Sequence, residues 1–356
     1  LPMMASIASR KIVTVPLLLV VPERVLSSAM GPTSYRVGCA SWLDTSLLAE
    51  GSFYPAPNMT ADARLRWYAR FFEAVEVNAT YYALPAYDTS RAWVERTPPG
   101  FQFAVKAYAL MTGHHPKAQA LVKELRTLLP REASVNARGE VERKHFPPEA
   151  LDLCFGWFRD ALAPLAQAGK LGYVLFQLAP WIGYSAKALE YLGSLPERLP
   201  GWTLAVEFRN PSWIPRRTAE VLEFLRDQRL SYVAVDCPWQ PLIATATTDS
   251  AVMRLHGRNV EGWRAQTRGQ HPSVAEKYDY LYRPEELTAL SETARRLEEE
   301  AATVHITFNN NNRDYPVRNG LQFRRLLGQS PPDLEASTAE FLGAQRPSAR
   351  ARRSRR

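Results

Sequence analysis

Cysteine is scarce. Cys39, Cys154 and Cys237 are the only three in 356 residues, and they stand far apart with no C-x-x-C pair. An odd, scattered set of thiols excludes a disulfide framework and a zinc knuckle, and it fits a reducing, cytoplasmic setting. No H-x-H or H-x-x-E pair offers a ready-made metal clamp. No glycine-rich phosphate fingerprint follows the first apolar strand, where Cys39-Ala40-Ser41-Trp42 stands instead; an open doubly wound dinucleotide fold would usually carry one there. No apolar run approaches the ~20 residues of a membrane helix. The nearest approach, Ile12 to Val21, follows Arg10 and Lys11 and is interrupted by Pro16. It resembles a short signal peptide, but Ser28-Ala29-Met30 is a weak cleavage site. The expectation is an extension over residues 1–33 that is disordered or lies upstream of a start near Met30.

Charge is less informative than its total suggests. The formal net charge is +8. Six arginines sit in the last eleven residues: Arg346, Arg350, Arg352, Arg353, Arg355 and Arg356. Subtracting those six leaves +2 for the rest of the chain. The basicity belongs to a Pro/Ser/Ala/Arg tail, expected to be disordered from residue 331 to 356. Such a tail is either passively solvated or an arm for nucleic acid.

What the chain does have is an alternation. Eight short β-branched or aromatic runs are candidate strands: Tyr35–Ser41, Ala74–Asn78, Phe101–Lys106, Gly172–Gln177, Thr203–Glu207, Ser231–Asp236, Ala251–His256 and Val304–Asn309. Between them lie amphipathic stripes of helical period, such as Leu151, Phe155, Phe158, Leu162 and Leu165. Strands alternating with helices imply parallel pairing, and eight such units imply closure. The predicted fold is α/β: a single TIM-type (β/α)8 barrel over residues 34–330, with a long helical insertion in the third βα loop between Met111 and Pro148.

Side chains two apart on a strand share a face. Pairing each polar strand end with its small or apolar predecessor sends one polar set into the lumen: Glu76 and Asn78, Lys106, Gln177, Glu207 and Arg209, Asp236, Arg254 and His256, and Asn309. Barrel enzymes place their chemistry at this C-terminal mouth. A self-paired structural network of ions is the plainer alternative. Buried charges of this number require either mutual pairing or a ligand.

Several motifs then align with a known family. They are Gly38-Cys39-Ala40-Ser41-Trp42, the segment from Phe72 to Pro85, TPPGFQFAVKA from Thr97, LFQLAP from Leu175, VEFRNPSW from Val206, MRLHGR from Met253 and FNNN from Phe308. In this order they resemble the YecE-like family, domain of unknown function 72, across about Tyr35 to Leu327. The resemblance implies a TIM-type barrel. It implies no reaction, because the family's activity is not established.

Three readings of the mouth follow from the residues. The first is an enzyme acting by acid/base chemistry on a phosphorylated or polyhydroxylated small molecule. Glu76 or Glu207 would be the base, and His256, Asp236 and Lys106 further catalytic groups. Trp42, Asn78, Gln177, Arg209 and Arg254 would bind the ligand. Gly257, Arg258, Asn309 and Asn310, after strands seven and eight, would hold phosphate. The second reading is a divalent metal on Glu76, Glu207, Asp236 and His256. The third is nucleic-acid binding through the arginine tail and aromatics near the mouth, namely Trp42, Tyr81, Tyr82, Trp181 and Trp213.

Overall fold

The computed structural model describes residues 34–267 and 274–344. Eight strands form: β1 Ser34–Ala40, β2 Ala74–Val77, β3 Gln102–Lys106, β4 Leu171–Gln177, β5 Leu204–Glu207, β6 Ser231–Asp236, β7 Ser250–Leu255 and β8 Thr303–Phe308. They pair in parallel in chain order, and β8 returns to β1 to close the barrel. The predicted (β/α)8 barrel is therefore the fold.

Each strand is buried on both sides, as a parallel sheet under helices requires. Outward residues such as Val75, Phe103, Val105, Val174, Phe176 and Val206 pack against the helical layer. Inward residues Ala104, Tyr173, Leu175, Ala205, Val233, Val235 and Val252 fill the lumen. Within this plug the Tyr173 ring lies 5.1 Å from that of His305. Closure needs Gly38 on β1. A Cβ there would stand 2.0 Å from the Ala74 carbonyl oxygen, so only glycine lets β1 approach β2.

The helices follow local rules. Pro147 and Pro148 open the helix Pro148–Gln167, whose first-turn N–H groups have no intrahelical partner to lose. Its buried face is Phe155, Phe158, Leu162 and Leu165. Thr60 caps the helix Ala61–Phe71, its hydroxyl oxygen accepting from the Ala63 N–H at 3.2 Å.

Two expectations are corrected. The chain does not lose structure at residue 331: Leu334–Ala344 is helical. It docks on the barrel through Phe341, whose ring is 5.6 Å from Trp67, and through an Arg70–Glu340 ion pair of 3.0 Å. The insertion after β3 is present but only briefly helical. Its one α-helix is Lys123–Thr127, flanked by 3-10 turns and by short bridges of Lys117 with Glu140 and Val135 with Val141. Pro116 and Pro130 bracket the segment and stop a longer helix. Its apolar residues are still used, with Leu121 and Leu125 buried. The predicted extension over residues 1–33 and the arginine cluster from Arg346 lie outside the described residues. Cys39, Cys154 and Cys237 are buried free thiols. Among the described residues, no helix is long and apolar enough to cross a membrane.

Candidate functional site

At the C-terminal mouth, β2, β5 and β7 deliver charged side chains to one point, and the ends of β4 and β8 add amides. Arg254 on β7 holds Glu76 on β2 through two parallel hydrogen bonds, Nε to Oε2 at 2.8 Å and Nη2 to Oε1 at 2.7 Å. Its Nη1 donates to Glu207 Oε2 at the end of β5. Arg209, two residues further, pairs through Nε with the other Glu207 oxygen. Gln177 at the end of β4 accepts from both guanidiniums, at 3.2 Å from Arg209 and 3.4 Å from Arg254. His256 lies 3.5 Å from Glu207 and 3.3 Å from Arg209 Nη2, and the Asn309 amide is 2.7 Å from its Nδ1. Glu76, Glu207 and His256 are fully buried and Arg254 nearly so.

The energetics decide which groups are chemically available. Burial alone would raise the Glu207 pKa; the Arg209 and Arg254 guanidiniums and the His256 ring more than reverse this and keep it well below the usual carboxylate range. Glu207 is therefore a firmly ionised group ion-paired with two guanidiniums, and a weak proton acceptor. Burial, then the adjacent Arg209, pushes His256 down to about 3. His256, expected as a catalytic acid/base, is therefore neutral at physiological pH.

Lys106, at the end of β3, behaves differently. It is half-buried, and its Nζ lies 4.7 Å from the centre of the Tyr81 ring. Burial and then Arg254 lower it to about 8, against the pull of Glu76 and Glu207. Opposite it stands Lys277, which the sequence reading missed. Its Nζ is 3.5 Å from the centre of the Trp263 ring and 5.3 Å from that of Tyr278. Burial, then Arg209 and Lys106, lower it to about 7.

The loops after β6 and β7 together supply an aromatic wall. Trp239 and Trp263 have ring centres 3.9 Å apart, and the Arg209 guanidinium lies 4.9 Å and 5.8 Å from them. Tyr278 is within hydrogen-bond reach of Arg209. On the facing rim, His114 sits between Tyr81 at 5.1 Å and Trp181 at 5.6 Å. The signal available in the sequence was length: from Gly257 to Arg283 runs a stretch holding Trp263, Tyr278, Tyr280 and Tyr282, too long for a simple βα turn.

Six predicted site residues lie apart from the ion cluster: Asp236, Gly257, Arg258 and Asn310, and also Trp42 and Asn78. Asp236 faces the helices, because β6 fills the lumen with Val233, Val235 and Cys237 instead. It accepts from Arg258 Nη2 at 2.8 Å and from the Tyr282 hydroxyl at 2.6 Å. Arg258 is further tied to Glu286 at 3.2 Å. The Gly257 N–H donates to the Tyr282 hydroxyl at 2.8 Å. Its φ of 81°, and the 2.6 Å approach of Tyr280 Cβ to any added Cβ, show why glycine stands there. Asn310 donates to Tyr280 O and to Asn319 Oδ1. The donors expected to cradle phosphate after β7 and β8 are thus engaged in holding the backbone of that corner.

Trp42 and Asn78 line a separate cleft of about 430 Å³ with Leu65, Trp93, Asp62 and Arg96, beside the ion cluster. Trp213 is core: it is buried, stacks on Phe208 at 4.6 Å, and donates to Ile182 O. The metal reading loses its ligand set. Among the described residues, no three His, Cys, Asp or Glu side chains are placed to share a cation. Asp236 points away, and both mouth carboxylates are held by guanidiniums.

Comparison with known proteins gives a consistent result. Residues 36–341 match the family model described as protein of unknown function DUF72. The UPF0759 protein YunF of Bacillus subtilis (strain 168) is 29% identical over 311 residues, which are 84% of this chain and 98% of that protein. A crystal structure of a DUF72 family protein from Enterococcus faecalis V583 is similar with a TM-score of 0.62 and 25% identity, over 84% of this chain and 99% of that one. Another, from Thermotoga maritima MSB8, has a TM-score of 0.62 and 27% identity, over 83% and 100%.

Proposed function

This chain belongs to the DUF72 family, whose activity is not established, and we propose that its barrel mouth binds an anionic, polyhydroxylated small molecule and acts on it by acid/base chemistry. The observation that carries this reading is surplus positive charge. Two carboxylates, Glu76 and Glu207, are matched by two guanidiniums, Arg254 and Arg209. Asp236 belongs to a different ion group. Lys106 and Lys277 remain, and among the described residues neither has a carboxylate within ion-pair distance. Two ammonium groups in a partly dry mouth call for an anion.

The walls support a sugar-like body. Trp239, Trp263 and Tyr278 on one side, and Tyr81, His114 and Trp181 on the other, offer flat apolar faces with polar edges. Lys106 and Lys277 are the groups with protons to exchange near neutral pH. The Glu76–Arg254–Glu207 cluster acts as a fixed electrostatic floor. His256, neutral, contributes a hydrogen-bonding ring rather than charge.

Thermal denaturation tests the reading with inorganic phosphate, a hexose phosphate, a uronate and the neutral parent sugar. A ligand at ~100 times its dissociation constant stabilises by ~2.7 kcal/mol. The anions should raise the melting temperature, the neutral sugar much less, and Lys106→Ala with Lys277→Ala should abolish the difference. The reading fails if no anion shifts the melt, or if the shift survives loss of both lysines. It also fails if a single-stranded oligonucleotide stabilises more strongly than any small anion and still does so without residues 345–356; the mouth would then be a nucleic-acid site.

A further inference from the structure

Lys106 is placed as an amine nucleophile should be. It projects from the end of β3, a strand position fixed by its pairing with Leu175 on β4. Around it stand Glu76 from β2, Glu207 and Arg209 from β5, and Arg254 from β7. Tyr81 lies on the second loop, while Lys277 and His114 lie on the seventh and third, both close enough to respond to the Lys106 charge. Both carboxylates in this group are bound by guanidiniums, so neither closes an ion pair on the ammonium. Each remaining charged neighbour is a cation. Partial burial and the local field together lower the cost of the unprotonated amine, which is the reactive form.

We propose that Lys106 forms an imine with the carbonyl carbon of a small aldehyde or ketone that also carries an anionic group, which Lys277 and Arg209 hold. This rests on the reading of the mouth as an anion site and names the substrate class for it. In the step, the Lys106 Nζ lone pair adds to the carbonyl carbon, a C–N bond forms, and the C=O π pair moves to oxygen. The amine proton is lost and the carbinolamine oxygen is protonated and leaves as water. A protonated imine remains, with no oxidant or reductant consumed. Its positive charge is the electron sink that makes an adjacent C–H acidic.

The lowering of Lys106 to about 8 is consistent with this role, since an appreciable share of amine is then present near neutral pH. A buried lysine used only for structure would instead be expected on a carbonyl cage, as Lys170 is on Val94 O and Thr97 O, at 2.8 and 2.7 Å. Among the described residues, Lys106 Nζ makes no such bond.

Reductive trapping tests it. Wild-type protein is incubated at neutral pH with pyruvate or glycolaldehyde phosphate and sodium cyanoborohydride, then digested and mapped by mass spectrometry. The expected result is one reduced adduct, on Lys106, suppressed by excess inorganic phosphate. Lys106→Arg keeps the charge and removes the nucleophile; it should show no adduct while phosphate still raises its melting temperature. Absence of an adduct from wild-type protein that phosphate still stabilises overturns the imine and leaves the anion site standing. Labelling of Lys277 instead, or of surface lysines without phosphate protection, also overturns the assignment. Absence of both labelling and stabilisation removes the anion reading with it.

Discussion

Arg254 spans the lumen from β7 to grip Glu76 on β2 bidentately, at 2.8 and 2.7 Å, while its remaining nitrogen donates to Glu207. One guanidinium thus joins three strands at the level where the lumen plug ends. Two carboxylates depend on it, and all three groups are out of water. Removing the cation leaves negative charge buried without its partner, the costly direction for a buried pair. Arg254→Met should destabilise by ~3–5 kcal/mol. Arg254→Lys should recover little, since an ammonium cannot reproduce the fork. Urea denaturation monitored by tryptophan fluorescence checks both. A loss below ~1 kcal/mol for Arg254→Met would mean that water reaches the cluster.

Acid sensitivity should begin well above the carboxylate range. His114, His256 and His305 are buried, and burial first, then nearby cations, pushes each down to about 3. The ordinary histidine value is ~6.5. Between these limits the unfolded chain binds protons that the folded chain does not. Stability from the three rings is therefore complete above ~6.5 and is lost progressively as pH falls toward 3. Each fully titrating ring contributes a slope of ~1.4 kcal/mol per pH unit. His305, far from the mouth, separates this effect from ligand chemistry. His305→Gln should flatten the stability curve between pH 7 and 5 by about a third, with anion-induced stabilisation unchanged. A curve equally steep in the variant would show that His305 is already charged in the fold.

Asp236→Asn separates the two acidic groups of this corner. Asp236 serves Arg258 and Tyr282 behind the barrel wall. Loss of its charge should lower stability by ~1–3 kcal/mol, the range for a charged hydrogen bond at a buried group. The affinity for phosphate or a sugar anion should be that of the wild type. Calorimetric titration of the folded variant decides it. A tenfold loss of affinity with little loss of stability would put Asp236 back into the site.

The β6 side of that corner also shows where sequence reading stops. The parity rule put Glu76, Lys106, Glu207 and Arg254 on the lumen face, because only one face of their strands carries a charge, but it misplaced Asn78, just past the end of β2. On β6 both faces are apolar until the last residue, Ser-Tyr-Val-Ala-Val-Asp. Alternation cannot then say which face is the lumen, and a parallel strand buried on both sides gives no polar face to decide it. Barrel closure and the strand count were legible because they need only the β/α alternation. The Lys277–Trp263 wall was not, because loop residues carry no period to read. Length and aromatic content were its only traces.

Trp263→Ala tests whether that wall binds ligand or merely covers the mouth. Trp263 holds the Lys277 ammonium against its face at 3.5 Å and leans on Trp239 at 3.9 Å. Its removal deletes a stacking surface but no charge. The affinity for a sugar anion should fall by about tenfold, ~1.4 kcal/mol. The salt dependence of binding should stay as in the wild type, because Lys106, Lys277 and Arg209 remain. Lys277→Ala should do the opposite, with a shallower salt dependence and retained stacking. Titrations of both variants at low and high salt resolve the two contributions. If Trp263→Ala leaves affinity unchanged, the wall only excludes water, and the sugar-like body of the ligand must be sought on the Tyr81–His114–Trp181 side.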